Sequence, residues 1–433
     1  MSIRTSKIRK VAKHNIACVS SVVVRRCQVC DYAHLEPILF LGYLPPVNKM
    51  ISIEELPSEQ PSYPALILSC PRCRLVQLGL IIDPQVLFPP EYPYTSGTTK
   101  ILRENFAELY KESRTIVNLN SEDLVVDIGS NDGTLLSNFS SQHRVWGITP
   151  ENIGKIALRR GIPTKISYFD QEVVSQILTQ DGQAKIVTAT NVFAHMRNIH
   201  KVLKQILRLL KQDGVFISES HYLPALVKTL QYDTIYHEHL RYYSLSSLSY
   251  LLMMHGLEII HAKYIPTHGG SIRVYAARKN SYKIRNSVPS ILEEEKKNPF
   301  NREKMEWFRK QVVMTKLKLY SLLQSIKKSG KRVYGIGAPS RASTLINYIG
   351  IDDGIIDYVL EVKGSHKIGK YIPGTLIPIA EESLIFKNSP EYALVFSWHI
   401  AEELMAKLKQ KGFRGDFIIP LPNPRIVKNI SID

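Results

Sequence analysis

At 433 residues with 44% hydrophobic side chains, the chain is too long for a single core and suits a globular protein of two or three domains. Lys and Arg number 56 against 39 Asp and Glu, a formal charge of +17, which favours anionic partners. No apolar run is long enough to cross a bilayer, and the scattered basic residues form no aromatic-interleaved module, so neither a membrane nor a nucleic-acid partner is expected.

Residues 1–26 read as a basic tail. Arg4, Lys7, Arg9, Lys10 and Lys13 precede a mildly apolar stretch, Ile16 to Val24, which lacks a small-residue cleavage site and runs straight into Arg25-Arg26, unlike a signal peptide. Of the five cysteines, Cys18 has no obvious partner, and the other four form the pairs Cys27-x-x-Cys30 and Cys70-x-x-Cys73. Such usage belongs to a reducing, cytoplasmic compartment. Four thiolates placed in pairs can close a tetrahedral shell around zinc. With no open ligand position the metal is structural, stapling a small domain over residues 27–95 whose core is too thin to stand alone.

Between the knuckles, Leu41 to Asn48 is turn-rich, and Arg74 to Gly79 is predicted as an alternating strand. The loop Glu91-Tyr92-Pro93-Tyr94-Thr95-Ser96-Gly97 then offers two phenol hydroxyls to a neighbouring site. Ile101 to Val117 is predicted helical. It leads into Leu124-Val125-Val126, a buried strand, and Asp127 to Gly133, a loop in which Gly129 and Gly133 allow close backbone approach, with a helix expected from Thr134. In an open α/β sheet the carboxyl end of such a strand is where an adenosine-bearing ligand lies.

The pattern goes on alternating. Arg144 to Ile148 is a strand ending at Thr149-Pro150-Glu151, and Lys185 to Asn191 is another, followed by Val192-Phe193-Ala194-His195. His200 to Leu210 has a helical apolar face with Gly214 as terminator, and Val215 to Glu219 returns to strand, giving one doubly wound domain over residues 96–285. Tyr232 to Tyr243 and Thr267 to Tyr275 are dense in groups that titrate or donate; neither reads as a core element, so each is a site or an exposed loop. A charged helix from about Ile291 to Lys328 is expected to link domains across residues 286–330. Residues 331–433 form a second α/β domain, opening with Gly335-x-Gly337-x-x-Ser340, an incomplete dinucleotide fingerprint with Ser where the third Gly would be and Glu361 ending the next strand.

Taken in order, the Cys knuckles, Asp127-Ile128-Gly129-Ser130-Asn131-Asp132-Gly133, Tyr236-His237-Glu238-His239, His268-Gly269-Gly270-Ser271 and Tyr334-Gly335-Ile336-Gly337-Ala338-Pro339 resemble the sugar C-methyltransferases. That family uses S-adenosylmethionine to methylate a ring carbon of nucleotide-linked 4-keto-deoxysugars, and the resemblance runs from about Cys27 to Pro420. It implies an α/β protein with a zinc-binding N-terminal domain, a central Rossmann-like class I methyltransferase domain and a C-terminal Rossmann-like α/β domain that helps hold the nucleotide-sugar. By the same likeness Asp127, Gly129, Ser130, Asn131 and Gly133 line the methionine and adenosine site, with Asn191 nearby and Phe169 over the adenine. The reacting groups carry over onto Tyr236, Glu238 and His239, with His195 and one of Tyr92 or Tyr94 completing the pocket.

The reaction this implies is C-methylation of a nucleotide-linked 4-keto-6-deoxysugar at C3, with dTDP as the expected nucleotide, through an enolate. His239 has the natural pKa for the base, and Glu238 can orient or activate it. Two departures stand out: Thr149, with Glu151 two residues on, where such enzymes place a ribose-holding acid, and Glu361-Val362-Lys363-Gly364-Ser365-His366 in place of an Asp-rich turn. Three rival functions stand beside this reaction: an O- or N-methyltransferase acting on another small anionic substrate through the same Asp127 loop, an NAD-dependent nucleotide-sugar oxidoreductase using Gly335 to Ser340, and a zinc-and-RNA-binding protein suggested by charge alone. A monomer is compatible with the sequence.

Overall fold

The computed structural model describes residues 21–55, 59–88 and 95–429. Residues 1–20, Cys18, Tyr92 and Tyr94 lie outside the described residues. The end of the expected tail is not loose, since Val22–Val23 pairs antiparallel with Leu80–Ile81. No helix of the described residues is long and apolar enough to cross a membrane.

The N-terminal region carries a four-stranded antiparallel sheet in the order Arg241–Tyr242, Val76–Leu78, Tyr63–Ser69, Glu36–Leu44. One edge strand therefore comes from the polar stretch far along the chain. The central sheet has seven strands in the order Leu257–Ile265, Ser271–Arg278, Leu210–His221, Ala184–Thr190, Leu124–Ile128, Arg144–Thr149, Thr164–Ile166. All run parallel except Ser271–Arg278, which is antiparallel to both neighbours. The strand order reverses between Leu124–Ile128 and Ala184–Thr190, which opens a crevice above their carboxyl ends. The C-terminal sheet has six strands in the order Ile379–Glu381, Tyr358–Glu361, Val333–Ile336, Tyr392–Val395, Asp416–Ile419, Arg425–Val427, with only the last antiparallel.

Several elements depart from the sequence expectation. Ser271–Arg278 is a buried strand rather than a loop, because Arg273 has a complete set of acceptors: Glu219 (2.6 Å), Glu108 (2.5 Å), Glu112 (2.8 Å) and Asn105 Oδ1 (2.9 Å). A buried cation is tolerated when paired and hydrogen-bonded this fully. Tyr232 to Tyr243 is likewise buried, not exposed.

The helix expected from Thr134 does not form beyond a 3-10 turn at Leu136–Asn138. The side chains of Ser137 and Asn138 take the Thr134 carbonyl (2.8 and 3.0 Å) that a helix would need. The helix Ile199–Leu209 buries Leu203, Ile206 and Leu209, each contributing about 1.5–3 kcal/mol. Gly214 does not terminate it. That glycine lies inside the strand Leu210–His221, at a register shift where a Cβ would meet the Lys211 carbonyl at 3.0 Å and the Ala184 carbonyl at 3.1 Å. The expected linker is two helices, Ser287–Lys297 and Arg302–Lys328, broken around Pro299. Val288 and Ile291 pack with the central sheet, whereas Phe308, Leu319 and Leu323 share a core with the N-terminal and C-terminal sheets.

Candidate active site and zinc centre

The two knuckles are copies of one turn. Cys27 N–H donates to the Tyr32 carbonyl and Asp31 N–H to the Cys27 carbonyl; Cys70 repeats this with Leu75 and Arg74. Asp31 and Arg74 take positive φ (57° and 58°), which turns each chain back after its second cysteine. The result brings four sulfurs within 4.8 Å of one another, with no disulfide among them. Four buried thiols around one point are the donor set of a structural zinc site.

At the crevice, residues 129–133 turn through positive φ at Gly129 (77°), Asn131 (51°) and Gly133 (79°). A Cβ on Gly129 would meet Val192 at 2.9 Å, and one on Gly133 would meet Ala157 at 2.9 Å, so both positions need glycine. Ser96 N–H donates to Asn131 Oδ1 (2.9 Å), and Gly97 N–H to Asp132 Oδ2 (3.3 Å), which pins the segment before helix Lys100–Ile116 onto the loop. Asp127 is buried below, accepting from the Thr188 hydroxyl (2.6 Å). Burial, with the nearby Glu219 carboxylate, pushes its carboxyl up to about 7. Ser130 Oγ and Asn191 Oδ1 are buried with no hydrogen-bond partner among the described residues, and Asn191 has φ 56°. Orphaned polar atoms around a glycine cradle fit a polar ligand such as S-adenosylmethionine. Phe169 is half-buried and packs against the core of this sheet.

Thr149 and Glu151 meet directly: the threonine hydroxyl donates to Glu151 Oε2 (2.5 Å). Burial raises the Glu151 carboxyl above its ordinary range. Glu151 can thus bring a carboxylate to the end of Arg144–Thr149 despite its late position, with Thr149 holding it. Glu151→Gln is expected to weaken S-adenosylmethionine binding about tenfold by calorimetry, the loss of one charge-assisted hydrogen bond, and Thr149→Ala less. Unchanged affinity in both variants would put the ribose elsewhere.

The polar segment packs over this crevice. His239, His195 and Tyr236 come together, with ring centroids 4.9 Å (His195) and 4.2 Å (Tyr236) from His239. Two further histidines join them that the sequence did not single out as site residues. His221, at the end of Leu210–His221, lies 4.8 Å from His239, and His268 lies 5.4 Å from His221. Extending the strand by two residues past Glu219 would have found His221. His268 has φ 56° and a buried Nε2 without a partner among the described residues.

His239 Nδ1 lies 2.7 Å from the Thr234 carbonyl, which can only accept, so Nδ1 carries the hydrogen and Nε2 the lone pair. Glu238 is therefore not the group that orients this ring. Its carboxylate instead accepts from Asn48 Nδ2 (2.7 Å), and Asn48 Oδ1 accepts from Ser340 (3.0 Å), which ties the polar segment and the N-terminal region to the start of helix Ser340–Ile349. His237 turns away towards the Pro64 carbonyl (3.2 Å). Burial pushes His239 and His268 down to about 4, so both are neutral at pH 7. Burial and the Glu238 charge push the Tyr236 phenol up, keeping it a donor.

The C-terminal domain closes the cluster from outside. Trp398 Nε1 donates to Asp233 (2.8 Å), and Arg341 lies 3.6 Å from the same carboxylate while donating to the His268 carbonyl (3.2 Å). Its glycine loop is already occupied by protein. Ala338 N–H donates to Glu361 (2.8 Å), the residue that would hold a ribose, and Lys367 donates to the Ala338 carbonyl (2.6 Å). NAD is accordingly expected not to bind. Micromolar NAD binding by calorimetry, abolished in Gly337→Val, would overturn this.

Three known domains match the chain in order: one described as zinc binding over residues 27–88, a methyltransferase domain over 100–262, and the C-methyltransferase C-terminal domain over 266–422. The C-methyltransferase NovU of Streptomyces niveus is 32% identical over 409 residues, covering 93% of this chain and 97% of NovU. Among solved structures, magnesium protoporphyrin IX methyltransferase from Synechocystis PCC 6803, with bound SAH, is 14% identical over 41% of this chain and 83% of its own, with a TM-score of 0.32. The YcgJ protein of Bacillus subtilis is 15% identical over 41% of this chain and 100% of its own, with a TM-score of 0.32.

Proposed function

The chain belongs to the family of S-adenosylmethionine-dependent C-methyltransferases, and from that membership we propose that it methylates C3 of a nucleotide-linked 4-keto-6-deoxysugar. The observation that carries this reading is His239: a neutral imidazole with Nδ1 held by the Thr234 carbonyl and its ring against Tyr236 and His195. A 4-keto group acidifies the hydrogen on the adjacent carbon. His239 Nε2 takes that proton, and the phenol of Tyr236 and the imidazole of His195 donate to the enolate oxygen. When bound, S-adenosylmethionine supplies the electrophilic methyl group that the carbon attacks.

The metal takes no part in this chemistry. The chain's charge of +17 suits a diphosphate-bearing substrate, with dTDP as the proposed nucleotide. The test is the product formed from a dTDP-4-keto-6-deoxysugar, read by NMR. A new methyl carbon bonded to C3 supports the proposal; a methyl on a hydroxyl oxygen refutes it.

A further inference from the structure

Arg241 is among the largest fully buried side chains, and among the described residues no carboxylate pairs with it. Its guanidinium meets neutral acceptors only: the Tyr243 hydroxyl (3.0 Å), Gln28 Oε1 (2.5 Å) and the Met196 carbonyl. A cation buried against neutral acceptors carries a desolvation cost that no paired carboxylate offsets. Both ends of this contact are informative. Gln28 lies inside the first knuckle, between Cys27 and Cys30, and its backbone N–H donates to Gln77 Oε1 (2.8 Å). Met196 directly follows His195, and Arg241 comes two residues after His239. Leu240 N–H also donates to the Ala194 carbonyl (3.1 Å), so the two histidine-bearing segments are laced together where Arg241 crosses them.

We infer that Gln28 and Arg241 form a strut through which the zinc knuckle sets the spacing of His195 and His239. Both are positioning residues, and neither touches the reacting atoms. The inference rests on the reading of those two histidines as reacting groups. With a divalent ion held by the four thiolates, the knuckle would carry a net negative charge, which would favour a cation on the far side of Gln28. A neutral amide relays the position of the knuckle by two hydrogen bonds without neutralising the cation that it holds.

The experiment compares Gln28→Leu, which removes the acceptor, with Gln28→Glu, which restores one, in the full chain. Zinc per chain, the ring resonances of His195 and His239 in histidine-labelled protein without substrate, and kcat and KM for solvent exchange and methyl transfer are measured. Gln28→Leu is expected to keep its zinc, shift both ring resonances and lose about 10²-fold in kcat for both processes, with S-adenosylmethionine affinity unchanged. Gln28→Glu should recover most of this. Should Gln28→Leu lose zinc or fail to fold, Arg241→Lys decides, since it lies outside the knuckle and keeps the charge but not the fork. Zinc-loaded protein with unmoved resonances and wild-type kcat, in Gln28→Leu or in Arg241→Lys, overturns the strut. Shifted resonances in a chain whose wild type does not methylate the ketosugar would instead leave the strut standing and overturn the proposed reaction.

Discussion

His239→Asn is expected to lower methyl transfer by about 10²–10⁴-fold, the usual contribution of a general base, and to abolish exchange of the C3 hydrogen with solvent deuterium. The two losses should go together, because proton removal precedes transfer and does not consume the methyl donor. Asp127→Ala, which disturbs the floor of the cofactor crevice, should by contrast keep part of the exchange. The pH dependence follows from burial. His239 is pushed from its ordinary 6.5 down to about 4, so lowering the pH through 6.5 leaves it neutral and competent, and the base form is lost only near pH 4. In kcat/KM, which reports the free enzyme, no acid limb from this group is expected between pH 7 and 5. A loss of under tenfold in His239→Asn would move the role to His195, His221 or Tyr236, and a limb near 6.5 would refute a base drawn from these buried histidines, since burial lowers His195 and His221 as well.

The parts of this molecule that were legible in the sequence are those set by residues close together along the chain. The knuckles need only two cysteines three apart and a turn, and the crevice needs only a buried strand followed by Gly129 and Gly133. What was hidden depends on partners far away. Arg273 looked like a loop residue because its acceptors at Glu108, Glu112 and Asn105 lie on a helix more than a hundred residues earlier. Glu238 beside His239 suggested an orienting pair, yet its acceptor oxygen faces Asn48, 190 positions back, and a local carbonyl at Thr234 holds the imidazole instead. The break at Thr134 was local but subtle, since it turns on Ser137 and Asn138 competing for one carbonyl, which no apolar period reveals.

Cys70→Ser should have the largest effect on folding. A hydroxyl replaces one of four thiolates, and structural zinc in small domains contributes on the order of 10 kcal/mol, comparable with the roughly 5–15 kcal/mol that hold an ordinary protein folded. Zinc is expected to fall from about one per chain to near none, with a much lower melting temperature and poor solubility. The damage should spread in a particular direction. The Val29 carbonyl in the first knuckle meets His200 Nε2 (2.9 Å), Gln28 meets Arg241, and Arg241–Tyr242 is itself an edge strand on Val76–Leu78. Losing the knuckle therefore releases the segment that carries Tyr236 and His239 and exposes the face of the seven-stranded sheet whose core the cysteines share, while the core of Val125, Ile186, Val215 and Ile217, which the knuckle does not share, is kept. Any folded remainder of Cys70→Ser should retain S-adenosylmethionine binding by calorimetry and lose solvent exchange at C3. A metal-free chain that stays folded and fully active would refute the structural role of the zinc and, with it, this order of failure.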